Sequence, residues 1–336
     1  MKPAMKKIIF RYYEIFIALI ILILSLVIGA INPAFFSLEN LFDLLKSSVV
    51  IGIFAIGVLI VLISGGVDIS FPAIAAFCLY VTGKIVLAFD YQGTILVGFV
   101  IAGLLGLCWG LFNAVFISFF KLPTLIVSLG TASAIRGFQL SVLSLLIGTK
   151  IITHLPKGWV EFSKLSLLTV TKADGSEANL SLAVVLFLLF ALFAWFLLRY
   201  TMLGRGIYAI GGDRVAAERA GFDITRIQFF IYGFVGFLAG IAGVTHAALI
   251  RIGNPFDLIG TELTVIAAVV LGGASIMGGR GSVLGTVLGV FLIVMMNNSL
   301  ILLGISSYWQ KVAVGLIIIG STGLTAYQAR KQRAEG

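Results

Sequence analysis

The chain has 336 residues, 60% of them hydrophobic and 11% charged, with a formal net charge of +9. Mean hydropathy is +1.15, and several apolar runs reach the roughly 20 residues needed to cross a bilayer. This excludes a soluble protein and leaves no polar segment long enough for a large soluble domain. It also makes the surplus of Lys and Arg a topology signal rather than a nucleic-acid surface.

Backbone groups inside a bilayer must be hydrogen-bonded within the protein. The expected fold is therefore all-α, a polytopic helical membrane bundle forming one transmembrane domain over 1–336. Ten spans are predicted, at about 13–31, 44–63, 71–89, 94–117, 123–147, 181–198, 227–249, 262–277, 282–303 and 308–326. Lys2, Lys6, Lys7 and Arg11 precede the first run. That run is longer than a signal-peptide core and is followed by no clear small-x-small cleavage site, so it reads as a retained span. The third carries Pro72 and Lys84, and the eighth is short and ends in glycines. Both read as broken or half-spanning helices.

Of the 23 Lys and Arg, fourteen lie on segments that share a side with the N-terminus and eight on the opposite side, while Arg136 lies within a span. The bias predicts both termini in the cytoplasm and an even number of spans. Cys78 and Cys108 both fall in apolar runs and suggest neither a disulfide framework nor a metal site.

The longest outer loop, about 148–180, contains the turn-rich run TKADGSEANLS. It reads as a surface loop or as a docking surface for an external partner. A weak internal echo links LISGGVDIS (Leu62–Ser70) to VLGGASIMGG (Val270–Gly279). Both close an apolar run with a Gly-Gly pair, Gly65 and Gly66 in one and Gly272 and Gly273 in the other. A duplicated bundle would produce such an echo.

The cytoplasmic loop, about 199–226, concentrates charge in an otherwise apolar chain. Within GGDRVAAERAGFD, Asp213 is placed to cap a helix, and Gly221 to end it in the left-handed conformation. Asp223 is placed to cap the next span. A helix of about two turns is marginal in water and needs a brace. It packs on its own protein, or it is offered to a cytoplasmic partner through the small face of Ala216, Ala217 and Ala220.

Several polar residues lie within or beside the spans. Arg136 sits roughly 20 Å along its helix, where an Arg faces the bundle interior or a water-filled cavity. It pairs with a carboxylate such as Asp68 or with backbone carbonyls, or it touches solute or gate. Asp68 follows Gly65 and Gly66, so it caps a new helix or marks broken backbone along a translocation path. Asn297 and Asn298 interrupt an apolar run and suit interhelical hydrogen bonds or a path lining. Gly106/Gly110, Gly236/Gly240 and Gly285/Gly289 are GxxxG pairs that suit helix packing. No G-x-x-x-x-G-K-[ST] run occurs, so ATP hydrolysis is expected on another polypeptide. No catalytic, metal or cofactor constellation is read.

YAIGGDRVAAERAGFDITRI resembles the cytoplasmic coupling loop of bacterial ABC-importer permeases of the ribose/xylose/galactose type, the carbohydrate uptake transporter-2 family. LISGGVDIS and ELTVIAAVVLGGASIMGGRGSVLGTVLGV are similar to two further motifs of that family. LPTLIVSLGTASAIRG and NNSLILLGISSYWQKVAVGLIII fit as well, so the likeness runs from about Phe36 to Ile319. Asp213 stands where Asn is usual, and Phe71-Pro72 where Val-Gly is general.

The resemblance implies a type II importer fold in the bacterial inner membrane. It implies a second permease copy, an ABC ATPase and a periplasmic or lipid-anchored solute-binding protein. Gly211, Gly212, Asp213, Ala216, Ala217, Glu218 and Gly221 would couple to the ATPase. Gly65, Gly66, Asp68, Arg136, Gly272, Gly273, Asn297 and Asn298 would belong to the path or gate. The solute would be a sugar, a signalling sugar derivative, a nucleoside or a branched-chain amino acid. A secondary transporter is the rival class, but it needs ionisable residues in the spans, which are nearly bare of charge away from their ends.

Overall fold

The computed structural model describes residues 3–143, 151–171 and 177–302, together with positions 309, 312, 315 and 316. Its first half contains α1 (Pro3–Ile31), α2 (Leu38–Ile63), α3 (Phe71–Ala88), α4 (Ile95–Ser118) and α5 (Thr124–Phe138). A π-helical turn, Gln139–Leu143, continues α5. Next come α6 (Lys157–Lys164), strands β1 (Ser166–Thr171) and β2 (Glu177–Ser181), and α7 (Ala183–Tyr200). The remainder is α8 (Met202–Gly212), α9 (Arg214–Arg219), α10 (Ile224–Ile250), α11 (Glu262–Leu271) and α12 (Val283–Leu302).

Seven of these helices are long and apolar enough to cross a membrane: α1 from Glu14, α2, α3, α4, α7, α10 and α12 to Leu300. The protein is a multi-pass helical membrane bundle. The expected ten spans are not reached among the described residues, for three reasons. The fifth expected span is α5, with residues 144–147 outside the described residues. The eighth is ten residues long and breaks at Gly272. The tenth lies almost wholly outside the described residues. The third, expected to be broken, is continuous over 18 residues. Pro72 stands in its first turn, where a missing N–H costs nothing.

The core is built around α2, which is buried from Ser48 to Ile63 apart from Val50 and Ile51. It packs against α10, α12, α7 and α11, and α10 packs in turn against α4 and α3. Lipid tails are as apolar as leucine, so helices here associate through close fit rather than through the hydrophobic effect. Two GxxxG pairs supply that fit. A Cβ on Gly236 would lie 2.1 Å from the Gly106 carbonyl oxygen, and one on Gly110 would lie 2.1 Å from that of Tyr232. α4 and α10 therefore touch backbone to backbone. Gly289 does the same against Ala268, with its Cβ position 2.1 Å from that carbonyl, and closes α11 onto α12.

The loop between α5 and α7 is more structured than expected. β1 and β2 pair antiparallel, with Thr169 opposite Asn179 and Val170 opposite Ala178. Trp159 of α6 is buried over α4 at Gly98. Arg251, at the end of α10, donates from Nε to the Ser163 hydroxyl at 3.0 Å. This hairpin layer caps the end of the bundle opposite α8 and α9.

The glycine contacts give a direct test. Gly236→Ala should destabilise the protein by at least the roughly 1–3 kcal/mol of core overpacking, because carbonyl oxygens cannot rotate away. Gly130, on α5, has no atom within 4 Å of its Cβ position. Gly130→Ala should be neutral or slightly stabilising. Thermal unfolding in detergent compares them, and equal midpoints for both variants would contradict the α4–α10 contact.

Candidate functional site

The charged stretch folds as expected into a short capped unit. The Thr201 hydroxyl accepts the Gly204 N–H at 3.0 Å and starts α8. Asp213 ends α8 and starts α9, its carboxylate accepting the Val215 and Ala216 N–H groups at 2.9 and 3.0 Å. Gly221 has φ +87°, and the Phe222 N–H returns to the Ala217 carbonyl at 3.2 Å, which closes the helix in a Schellman turn. Asp223 accepts the Arg226 N–H at 2.9 Å and opens α10.

The faces of α9 differ from the expectation in one respect. Gly212, Asp213, Ala216, Glu218, Ala220 and Gly221 are exposed. Ala217 is 3% exposed and packs into the protein's own core. The side chain of Ala217 is therefore part of the brace and not of an outward small face.

Gly211 carries the tightest contact of this unit. A Cβ there would lie 1.8 Å from the Ile63 carbonyl oxygen and 2.6 Å from the Gly279 nitrogen. The Gly279 N–H itself donates to that Ile63 carbonyl at 2.8 Å. Tyr208, one helical turn back, donates its hydroxyl to the Gly281 carbonyl at 2.7 Å. The α8–α9 unit is thus locked to two breaks in the bundle, the end of α2 and the segment after α11.

These two breaks are the two halves of the sequence echo, and they close alike. The Gly65 and Gly66 N–H groups return to Leu62 and Val61, and the Gly273 and Ala274 N–H groups to Val270 and Val269. Gly65 has φ +81° and Gly273 φ +90°, a conformation that favours glycine. Gly272 is buried against α12, its Cβ position 2.6 Å from the Gly285 carbonyl oxygen.

Beyond Gly66, Asp68 is buried. It does not cap α3 by a side-chain bond. Instead it accepts the N–H and the hydroxyl of Ser70, both at 2.7 Å. The Asn113 amide donates to the Ser70 hydroxyl at 3.0 Å, and the Thr131 hydroxyl to Asn113 at 2.6 Å. This chain of bonds satisfies the buried carboxylate and ties the first break to α4 and α5.

Arg136 does pair with a carboxylate, but with Glu262 and not Asp68. Its Nη2 lies 2.5 Å from the Glu262 carboxylate, with the two side chains 34% and 13% exposed. The pair joins α5 to the first residue of α11. The Arg136 Nε and the Gln139 amide nitrogen, three residues on, are buried without a partner among the described residues.

Asn298 lines a cleft of about 800 Å³ at the hairpin end of the bundle, between α2, α10, α12 and the segment from Asp257 to Thr261. Its amide lies 3.4 Å from that of Asn40. Asn297 is not part of that lining. The cleft also holds Glu39, Asp43, Lys46, His246 and Asp257, which sequence reading missed because they come from helix ends far apart in the chain. Glu262 was the more legible omission, a single carboxylate at the head of a long apolar run.

Comparison with known proteins places this architecture. The model of a family described as "Branched-chain amino acid transport system / permease component" matches residues 40–322. The chain belongs to this permease family. It is 33% identical over 305 residues to the ribose import permease RbsC of Haemophilus influenzae, covering 90% of each chain. It is 31% identical over 300 residues to RbsC of Escherichia coli K12, covering 89% of each. It is 30% identical over 307 residues to the autoinducer 2 import permease LsrC of Yersinia pseudotuberculosis, covering 90% of this chain and 81% of that one. No solved structure matches it. The chain is a membrane permease component of the ABC-importer kind, as its motifs imply, and its relatives are permeases rather than catalytic subunits.

The pair in this permease that links α5 to α11 is measurable. A double-mutant cycle on Arg136→Ala and Glu262→Ala should give a favourable interaction energy of about 0.5–3 kcal/mol, read from thermal or denaturant unfolding in detergent. Additive single effects would mean that the two side chains act independently.

Proposed function

We propose that this permease carries an uncharged sugar or sugar-like solute inward, driven by a separate ABC ATPase that docks on α9. The observation that carries the reading is the lock between α8 and the two helix breaks. An ATPase that moves α9 moves α8 through their junction at Asp213, and α8 must move the breaks, because Gly211 leaves no slack against Ile63 and Gly279. The breaks then carry the motion to α2 and α11, whose other ends border the polar cleft. Gly212, Asp213, Ala216, Glu218 and Gly221 offer the exposed docking face, while Gly211 and Ala217 hold it in place. Gly65, Gly66, Asp68, Gly272, Gly273 and Arg136 form the moving path wall, with Asn298 at its outer mouth and Asn297 behind it.

The sugar reading rests on the relatives, whose names describe ribose and autoinducer 2 import. Those import systems also support a solute-binding protein that delivers cargo from outside. A second permease copy fits α5, which exposes Gly130, Ser133, Ala134 and Gly137 along one face with open space beyond both glycines. The Lys and Arg bias supports cytoplasmic termini and a cytoplasmic α8–α9 unit in a bacterial inner membrane.

Adjacent alanines separate docking from folding. Ala216→Trp should leave yield and thermal stability near wild type and lower ATPase co-purification about tenfold, equivalent to 1.4 kcal/mol of binding. Ala217→Trp should instead destabilise the permease itself by about 1–3 kcal/mol. Full uptake with a normally bound ATPase in Ala216→Trp would remove α9 as the docking helix. A cysteine at exposed Val215 should react with an impermeant thiol reagent only from the cytoplasmic side, and labelling from outside would reverse the orientation.

A further inference from the structure

We infer that the cleft at the hairpin end is a solute-binding site of the permease itself, selective for an uncharged polyhydroxylated solute over an anionic one. The inference rests on the sugar-importer reading above and adds a site and a charge preference to it.

The cleft has the size of a small-molecule site, about 800 Å³, within the roughly 300–1,000 Å³ that such sites occupy. Val50, Ile51 and Phe54 of α2 give it an apolar floor, suited to the C–H face of a sugar ring. The polar walls converge from separate elements. Asp43 and Lys46 come from α2, Asn298 from α12, and His246 and Asp257 from either side of the end of α10.

The charges on these walls are unequal. Glu39, Asp43 and Asp257 are three carboxylates against the single ammonium of Lys46. His246 Nε2 lies 3.9 Å from the Asp257 carboxylate, which also accepts from the Asn254 amide. Asp43 and Lys46 have no ion-pair partner among the described residues. The walls therefore hold more acceptors than donors, and a polyol supplies one donor with each hydroxyl. A phosphorylated or carboxylated sugar would bring a like charge into low-dielectric walls that focus the field of the carboxylates. A zwitterionic amino acid finds one cation for its carboxylate, Lys46, on walls that also carry three carboxylates, whereas a polyol brings no charge to them.

The site also has a route to the moving parts. Thr261 lines the cleft, and the next residue is Glu262, which Arg136 holds at 2.5 Å. A solute that draws on Thr261 or Asp257 acts at the head of α11, whose far end is the Gly272–Gly273 break.

The test uses the complete importer in proteoliposomes, with Ser47→Cys as a reporter, since Ser47 is exposed and lines the cleft. Labelling is followed without ATP and without the binding protein, so that turnover does not alter access. A cationic methanethiosulfonate should react about tenfold faster than an anionic one, as expected for an attractive local potential. D-ribose at saturating concentration should slow labelling about fivefold or more, ribose 5-phosphate should not, and Asn298→Leu should abolish the protection. If the importer takes up D-ribose with ATP but D-ribose never protects Ser47→Cys, the cleft is not a solute site and the sugar reading stands. If the importer takes up L-leucine instead of D-ribose, and L-leucine protects, both the sugar reading and the polyol assignment fall. Equal rates for the two reagents would overturn the charge preference.

Discussion

The main-chain carbonyl of Ile63 is the point on which the rest of the structure turns. It ends α2, the most buried helix of the bundle. It accepts the Gly279 N–H at 2.8 Å, and Gly211 is pressed against it from α8. Three segments far apart in sequence meet there without an intervening side chain. A contact of this kind has no rotamers to relax, so displacement of one segment is passed to the others instead of being absorbed. The unit so anchored also braces α9, a six-residue helix too short to hold alone.

The same economy recurs through the bundle. α4 meets α10 at Gly106, Gly110 and Gly236, and α11 meets α12 at Gly272, Gly285 and Gly289. In a bilayer these contacts replace the hydrophobic drive that organises a soluble core. Polar bonds add ties between helices, as from the Ser118 hydroxyl to the Gln228 amide oxygen at 3.1 Å, and they also serve the breaks. The chain from Asp68 through Ser70 and Asn113 to Thr131 satisfies the first break. The Arg136–Glu262 pair holds the head of the helix that leads to the second. Rigid helix pairs joined at satisfied breaks are the construction expected of a bundle with two discrete arrangements.

Much of this was legible in the sequence because it is local. The caps at Asp213, Gly221 and Asp223 follow from residue type within a few positions, and the structure forms each of them. The GxxxG pairs named the close-packed faces, and the two Gly-Gly echoes named the breaks. What was not legible is pairing over distance. A carboxylate was one of the partners open to Arg136, but nothing in the spacing distinguishes Glu262 from Asp68. Ala217 and Ala216 are equivalent by composition, and only the rotation of α9 against α8 and α10 decides which is buried. The eighth run was read as broken or half-spanning from its closing glycines, and the helix does stop at Leu271 after ten residues. The third run was read the same way from Pro72, but a proline in the first turn leaves the helix continuous. The β1–β2 hairpin was hidden, since its turn-rich centre reads as loop while the short runs that pair lie on either side of it.

In the proposed function, motion of the α8–α9 unit reaches the bundle through Gly211. The most direct measurement is the number of solute molecules moved per ATP hydrolysed by the reconstituted importer carrying Gly211→Ala. A methyl group there would lie 1.8 Å from the Ile63 carbonyl oxygen and must force α8 off the break. With the ATPase still bound and the variant still folded, hydrolysis should continue while the transport ratio falls at least about tenfold, the effect of 1.4 kcal/mol lost from coupling. A wild-type ratio would show that the junction at Ile63 does not transmit the stroke.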